Sequence, residues 1–453
     1  MLDRIKSFRI PAGTEKYVVL FILVLWGIFR LTVYGDPALS IAGNDTSTYV
    51  EASRVPLFSA EMMTGRRLLT TNLLYKVFEP ESGYEIIVNG SLETSRRVLQ
   101  PGFDRIVILQ LILTILGWGT LTWVISSHMK SFLTKILTAL VIPAFAFTPQ
   151  MADWDSILLS ESMTFSLFAL QFAILIFIVF SLNKDPNAKV LPWLICWGVV
   201  YFFWANLRDT NNYVAPILFG LSALTLFTPK FRRSKALIGV MIFTSILFIL
   251  GVVTFQQSGR SLISTINVYI SDIFPFPARV EFMKDLGMPE PETAEFYVWF
   301  EENGVSGMVR FLLAHPGYDL EKIVRDFPEA FKEIRQTYFH TPETKLLRAR
   351  LIAFGETLHP ETSAPFSMGM MLLLGILALA FANRTDTIRP WAWLGTFIFV
   401  SASIVIIPTI LGDTWAINRH ALFSTMIFRL SMWLFAIIVM DIALTRENPV
   451  NAQ

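Results

Sequence analysis

The chain has 453 residues, of which 53% are hydrophobic and 16% are charged, and its formal net charge is +1. Soluble domains carry roughly 25% charged residues, so this composition excludes a chain that is soluble throughout, and the balanced charge gives no basis for nucleic acid binding. The single cysteine, Cys196, lies in an apolar run, which argues against a disulfide framework, a zinc–thiolate site and redox chemistry.

Apolar runs of about 20 residues, the length that spans a bilayer, recur along the chain. The first follows a basic N-terminus and lacks a small-residue cleavage site, so we expect a retained span and not a signal peptide. The predicted fold class is an all-α polytopic membrane protein with about ten transmembrane helices. These helices are predicted near residues 17–34, 104–127, 132–149, 158–182, 190–206, 212–228, 236–256, 366–383, 389–410 and 418–444.

The connections between these helices fall into two sets when the helices alternate across the membrane. Members of one set carry Lys or Arg with few acidic residues: SSHMKSFLTK, SLNKDPNAK, TPKFRRSK, ANRTDTIR and the tail TRENPVNAQ. Short cytoplasmic loops are enriched in Lys and Arg. We therefore predict a multi-pass protein of the plasma or inner membrane with a cytoplasmic N-terminus, and we place the other set of loops on the extracytoplasmic side.

Two connections on the predicted outer side are long. The loop 35–103 contains amphipathic stretches, which predict short helices lying along the membrane surface. The segment 257–365 mixes acidic, basic and aromatic residues like a small soluble lobe, and could cap the bundle or hold an acceptor. These features divide the chain into an N-terminal membrane module (1–256), an extracytoplasmic helical insertion (257–365) and C-terminal membrane helices (366–453).

Polar side chains at several helix ends fall on this outer side, where ionisable groups near lipid usually face a cavity. The carboxylate of Asp45 could accept a proton from a hydroxyl or an amine; alternatively, Asn44 or Asp45 caps the helix that follows. Glu161 lies near the start of an apolar span, where burial is costly without a partner. Arg208 suits a phosphate or carboxylate, or forms a structural pair with Asp209.

Two further sites lie in short outer connections. Arg419 and His420 begin the last predicted span, where a cation could hold a lipid phosphate or Arg419 could simply reach the membrane surface. Asp153 and Asp155 alternate in a short loop, and such oxygen ligands suit Mg²⁺ or Mn²⁺. Equally, these two carboxylates could be solvated or cap a helix.

Taken in order, these segments resemble the motifs of the GT-C superfamily of integral-membrane glycosyltransferases, which includes protein O-mannosyltransferases, the lipid A aminoarabinose transferase and oligosaccharyltransferases. NDTSTYVEA places Asp45 at the family's catalytic carboxylate, and LLSESMTFSLFAL places Glu161 at its Ser-Glu motif. ANLRDTNNYVAPIL is similar to an Arg-Pro motif, with Asp209 in place of the proline, and INRHALF is similar to an Arg-Tyr-Ala-Leu segment, with His420 in place of the tyrosine. GRRLLTTNLLYKVF is similar to a surface-helix segment but lacks its prolines.

The resemblance implies an enzyme that transfers a sugar from a polyprenyl-phosphate donor to an acceptor hydroxyl or amine at the extracytoplasmic face, by inverting displacement with Asp45 as general base. A divalent cation at Asp153 and Asp155 would neutralise the phosphate, and no organic cofactor is expected. The expected partners are the donor, a glycan, lipid or protein acceptor, and membrane lipids. The implied substrate-binding residues are Tyr49, Arg54, Arg66, Arg67, Glu161, Arg208, Asn211, Arg419 and His420.

Two other classes of function stay open. A lipid or polysaccharide transporter or flippase would also have many spans and polar helix ends. The predicted spans contain few mid-membrane charges, however, and the ionisable residues collect at one face instead of lining a route across the membrane, which favours the enzyme. A non-catalytic membrane scaffold would leave Asp45 and Glu161 unexplained.

Overall fold

The computed structural model describes residues 13–43, 45–87, 97–332, 346–383 and 387–445. The basic N-terminal segment, the candidate capping residue Asn44, most of the C-terminal tail and parts of the two long connections 35–103 and 257–365 lie outside the described residues.

The described residues up to Ser258 are mostly helical, with one short antiparallel pair of strands among them, β1 (Leu39–Ser40) with β2 (Val98–Leu99). Two 3₁₀ turns, Asp153–Ser156 and Asp209–Tyr213, interrupt the helices. The helices are α1 (Thr14–Val33), α2 (Thr46–Ser53), α3 (Glu61–Thr64), α4 (Leu69–Val77), α5 (Asp104–His128), α6 (Phe132–Phe147), α7 (Pro149–Ala152), α8 (Glu161–Lys184), α9 (Leu191–Ala205), α10 (Val214–Leu226) and α11 (Lys235–Ser258).

The remainder of the described chain is also helical. A π-helical turn, Tyr269–Ile273, interrupts the insertion. The helices of the insertion and the C-terminal part are α12 (Arg260–Val268), α13 (Pro277–Asp285), α14 (Ala294–Ala314), α15 (Pro316–Glu329), α16 (Leu346–Leu358), α17 (Ala364–Asn383), α18 (Ile388–Gly412), α19 (Ile417–His420) and α20 (Leu422–Thr445).

The all-α polytopic fold class is confirmed, and each of the ten predicted spans is a helix. Within the described residues, seven helices are long and apolar enough to cross a membrane, or eight if α6 and the bent segment after it form one broken span, with a bend of 50°. The helices α9 and α10 have 15 and 13 residues and are shorter than a simple span requires. The predicted count of about ten is therefore approximate.

Close packing of α5 against α8 forms the centre of the bundle. A Cβ atom at Gly117 would lie 2.4 Å from the carbonyl oxygen of Ser166, so only glycine permits this approach. At the end of α8 that is remote from Glu161, Asp441 of α20 accepts hydrogen bonds from the Ser131 amide (2.8 Å) and the Thr134 hydroxyl (2.6 Å). This carboxylate caps α6 and joins it to the last helix of the chain.

The insertion has an aromatic core of its own and is fastened to the bundle. Tyr269, Phe296 and Phe311 are fully buried in that core. Arg429, which is fully buried in α20, donates hydrogen bonds to the carbonyl oxygens of Phe331 (2.8 Å) and Pro360 (3.0 Å). Because these two carbonyls lie near the end of α15 and just after α16, Arg429 fixes two distant points of the insertion to the last helix.

Candidate active site

Backbone pairing brings the start of α2 to the start of α8. The amide of Ile41 donates to the carbonyl of Ser156 (2.8 Å), and the amide of Leu158 donates back to the carbonyl of Ile41 (3.0 Å). A Cβ atom at Gly43 would lie 3.0 Å from the side chain of Leu159, so the two segments are in close contact. Asp45 and Glu161 consequently lie at the same end of the bundle.

Five side chains meet there, and we call them the arginine–carboxylate cluster: Asp45, Arg67, Glu161, Arg208 and Arg419. The two oxygens of Asp45 contact different cations, Arg67 Nη2 at 3.1 Å and Arg419 Nη2 at 3.0 Å. Arg419 also donates from Nε to Glu161 Oε1 at 2.9 Å. Arg208 Nη1 lies 3.8 Å from the same oxygen of Glu161. Arg419 thus bridges both carboxylates.

The cluster carries more positive than negative charge, and it is open on one side. Three guanidinium groups face two carboxylates, which leaves one positive charge in excess. The side chain of Glu161 is only 1% exposed, whereas that of Asp45 is 40% exposed. A molecule arriving from solvent or from the membrane surface therefore reaches Asp45 and the arginines. Glu161 is buried and supplies a negative charge that pairs with Arg419 and Arg208.

The arginines set the protonation state of Asp45. Burial acts to raise its pKa, but the charges and hydrogen bonds of Arg419 and Arg67 outweigh burial, so the pKa lies below the usual value of 3.8. Asp45 precedes the first residue of α2, yet its side chain makes no capping hydrogen bond. The Asp45 side chain therefore forms ion pairs and does not cap α2, and its role as proton acceptor stays a prediction.

Tyr49 supports Arg67 instead of facing the opening. Its ring is 3% exposed and lies under the guanidinium of Arg67, 4.3 Å from ring centroid to Cζ. Arg67 Nε also donates to Thr48 Oγ1 at 2.7 Å. One turn of α2 therefore orients Arg67 through a cation–π contact and a hydrogen bond.

The side chains of the other four predicted substrate-binding residues make no ion pair or hydrogen bond with the cluster among the contacts of the described residues. Arg54 and Arg66 are exposed, and neither forms an ion pair in the part of the chain that the structure describes. Asn211 is fully buried and donates to the carbonyl of Trp204 at 2.8 Å, which stabilises the 3₁₀ turn. His420 Nδ1 pairs with Asp413 Oδ2 at 2.8 Å, next to Arg419 in the chain. A substrate contact of these four residues stays a prediction.

Asp153 and Asp155 form their contacts with partners outside the arginine–carboxylate cluster. One oxygen of Asp155 accepts from Arg30 Nη2 (2.7 Å), and the other accepts from the hydroxyls of Thr114 and Ser162 (both 2.7 Å). Asp153 pairs with Arg348. A divalent cation would have to displace these donors, and the described residues contain no group of three or more metal-ligating side chains. This pair does not fit a resident metal.

Asp155→Asn is expected to lower the free energy of unfolding by about 3–5 kcal/mol, because Arg30 would stay buried without its carboxylate. The Arg30 and Asp155 side chains are 5% and 4% exposed. Asp153→Asn is the matched control and should cost less, since its partner Arg348 is 23% exposed. Thermal unfolding of the purified protein measures both, with and without a chelator. A chelator that lowers the midpoint of the native protein but not of Asp155→Asn would instead establish a metal there.

Two functional contacts were missed from the sequence. Arg30 is an arginine within an otherwise apolar first span, a signal that a buried partner was required. Arg260 gave no such signal. It follows Gly259 at the start of the insertion and forms a two-pronged ion pair with Asp209, at 2.8 Å and 2.9 Å. Asp209 is therefore the partner of Arg260, not of Arg208 as one interpretation had it.

No family model matches the chain, and no curated protein sequence matches it. In structure the chain is similar to archaeal oligosaccharyltransferase AglB from Archaeoglobus fulgidus, solved with an inhibitory peptide and a dolichol-phosphate: the identity is 12%, the TM-score is 0.45, and 95% of this chain aligns with 51% of that one. For the apo form of the oligosaccharyltransferase from that organism, the identity is 12% and the TM-score is 0.48, and 95% of this chain aligns with 51% of that one. For the complex of that oligosaccharyltransferase with Zn and sulfate, the identity is 13% and the TM-score is 0.44, and 93% of this chain aligns with 49% of that one.

The chain thus spans about half the length of the solved structures it matches. Those structures are oligosaccharyltransferases.

Proposed function

We propose that this protein is a membrane glycosyltransferase that moves a sugar from a polyprenyl-phosphate donor to an acceptor hydroxyl or amine at the extracytoplasmic face. The observation that carries this proposal is the arrangement of Asp45, half-exposed, between Arg67 and Arg419, with Arg208 beside the buried Glu161. A proton acceptor and an excess of guanidinium groups are the two components that such a transfer needs.

The arginines suit the donor's phosphate. Guanidinium groups bind phosphate oxygens through paired hydrogen bonds, and the excess positive charge of the cluster matches the single negative charge of a phosphodiester. The cluster lies where apolar helices such as α8 begin, so the isoprenoid chain can stay in the lipid while the phosphate contacts Arg67, Arg208 or Arg419.

In the reaction, the acceptor oxygen or nitrogen forms a bond to the anomeric carbon, and its proton passes to Asp45. The bond from that carbon to the phosphate oxygen breaks, and the lipid phosphate leaves with the electron pair. The extra negative charge on the leaving phosphate is stabilised by the arginines. A phosphate needs little protonation to leave, so a second carboxylic acid, as in glycoside hydrolysis, is not required. Attack opposite the phosphate inverts the anomeric centre.

A transfer assay tests the proposal. Purified protein in lipid nanodiscs is incubated with a panel of radiolabelled polyprenyl-phosphate sugars and a membrane extract as the source of acceptors. Label is expected to move from the lipid fraction to an acceptor with at least one donor. If no donor yields transfer but labelled lipid crosses the bilayer of proteoliposomes that contain the protein, the transporter interpretation replaces this one.

The pH dependence of kcat/KM follows from the lowered pKa of Asp45. A base must be ionised, and this carboxylate is protonated only when the pH falls through a pKa below 3.8. Asp45 therefore stays ionised between pH 8 and pH 5, and its titration should cause no fall in kcat/KM over that range. The measurement is made in nanodiscs with the donor identified in the transfer assay. A loss of kcat/KM with a midpoint near pH 6 would contradict the assignment of Asp45.

A further inference from the structure

The three arginines of the cluster come from three separate segments of the chain, and each segment touches the first helix of the insertion. Arg67 follows α3, Arg208 precedes the second 3₁₀ turn, and Arg419 lies in α19. The Arg67 and Arg208 segments touch each other where the Thr70 amide donates to the carbonyl of Asn206 at 3.2 Å. The remaining contacts that set the relative positions of the three segments run through the first helix of the insertion.

Arg260, the first residue of α12, contacts two of these segments at once. Its Nη1 donates to the carbonyl of Gly65 at 2.8 Å, two residues before Arg67. Its Nε and Nη2 donate to the two oxygens of Asp209, the residue after Arg208. The Arg260 side chain is only 7% exposed. A single buried guanidinium therefore ties the Arg67 segment to the Arg208 segment.

The other end of the same helix holds the third segment. Asn267 Nδ2 donates to Asp413 Oδ1 at 3.1 Å, and the carbonyl of Asn267 accepts from the hydroxyl of Thr414 at 3.0 Å. Asp413 in turn pairs with His420, the residue after Arg419. Its pKa lies below the usual value: burial acts to raise it, but the hydrogen bond and charge of His420 outweigh burial.

We propose that α12 is the positioning element of the phosphate-binding arginines: Arg260 and Asn267 fix the spacing of Arg67, Arg208 and Arg419. This inference rests on the proposed function in so far as it names a lipid phosphate as the ligand. The insertion 257–365 then contributes to donor binding. This role differs from capping the bundle and from holding an acceptor. Arg260 and Asn267 are positioning residues, and neither is placed in contact with substrate.

The test compares Arg260→Ala, Arg260→Lys and Asn267→Ala with the native full-length protein. Arg279→Ala is the matched control, because Arg279 is also an arginine of the insertion, donates to a backbone carbonyl (Asp272, 2.6 Å) and contacts aromatic rings, but lies on α13 without a contact to the cluster among the described residues. The lysine variant keeps the charge and loses the two-pronged contact with Asp209, so it remains informative if the alanine variant folds poorly.

Two measurements are made on each protein in nanodiscs: amide hydrogen exchange over residues 61–67 and 206–213, and the Kd for a short-chain polyprenyl phosphate. Arg260→Ala is expected to speed exchange in both segments and to weaken binding about tenfold, since small misplacements of binding groups are costly. Arg260→Lys should give a smaller change in the same direction. Asn267→Ala should weaken binding without faster exchange over 61–67.

Unchanged exchange in Arg260→Ala, or faster exchange with unchanged binding, would overturn the positioning role even though the native protein binds the lipid phosphate. Equal weakening by Arg279→Ala would also overturn it, because the effect would then be one of general stability. If the native protein binds no polyprenyl phosphate while exchange still responds to Arg260→Ala, the proposed donor fails and the inference loses its ligand. These outcomes separate the failure of the positioning role from the failure of the proposed function.

Discussion

Asp45→Asn is expected to reduce the transfer rate by about 10²–10⁴-fold, the usual contribution of a positioned general base. Asparagine has nearly the same volume and leaves α2 uncapped as before, because the Asp45 side chain makes no capping bond. What changes is the proton acceptor: an amide cannot take the proton of the attacking hydroxyl or amine. Initial rates with the donor identified in the transfer assay measure the effect.

The same variant separates catalysis from donor binding. Removing the carboxylate leaves three arginines facing Glu161 alone, so the positive charge of the cluster increases and a donor phosphate should bind at least as tightly. We therefore expect kcat to fall while the donor KM stays level or decreases. Asp36→Asn, an exposed carboxylate of the same outer loop, is the control and should behave as native. Equal transfer by Asp45→Asn and the native protein would exclude Asp45 as the base.

Arg419→Ala is expected to destabilise the protein strongly, because Arg419 holds both carboxylates of the cluster. Without it, Glu161 stays buried beside Arg208, whose Nη1 lies 3.8 Å from Oε1 of Glu161. Breaking a buried pair by removing one partner costs about 3–5 kcal/mol. Thermal unfolding in detergent measures the loss, and transfer should be lost as well, since a phosphate contact disappears.

A double variant distinguishes these two losses. In Arg419→Leu/Glu161→Leu both charges are removed together, and such replacements are often close to neutral for stability. The double variant should therefore be more stable than Arg419→Ala and closer to the native protein, but its transfer activity should stay lost. Recovery of transfer in the double variant would show that the Arg419–Glu161 pair only stabilises the fold.

The sequence predicted the helices well because long apolar runs and the charge of the short loops are local signals. It also placed Asp45, Glu161, Arg208 and Arg419 at one end of the bundle, since alternation of spans requires no knowledge of packing. The role of each residue there stays a prediction. What the structure adds is their direct contact through Arg419.

The parts that could not be predicted depend on contacts between distant segments. The pairing of Ile41 with Ser156 and Leu158 places the segment that carries Asp153 and Asp155 beside the chain that leads to Asp45, and no local pattern encodes that pairing. Asp209 beside Arg208 looked like a neighbouring ion pair, but the 3₁₀ turn presents Asp209 to the insertion. Proximity in the sequence therefore did not identify the ion-pair partner of Asp209.

The shortness of α9 and α10 has a consequence for the surrounding bilayer. With 15 and 13 residues, they measure about 22 Å and about 20 Å along their axes, against a hydrocarbon thickness of roughly 30 Å. Lipids beside a short helix pair relieve such hydrophobic mismatch by local thinning. Because the connection between these two helices carries Arg208, thinning would draw lipid phosphates inward on that flank. A membrane of longer acyl chains should then work against donor entry.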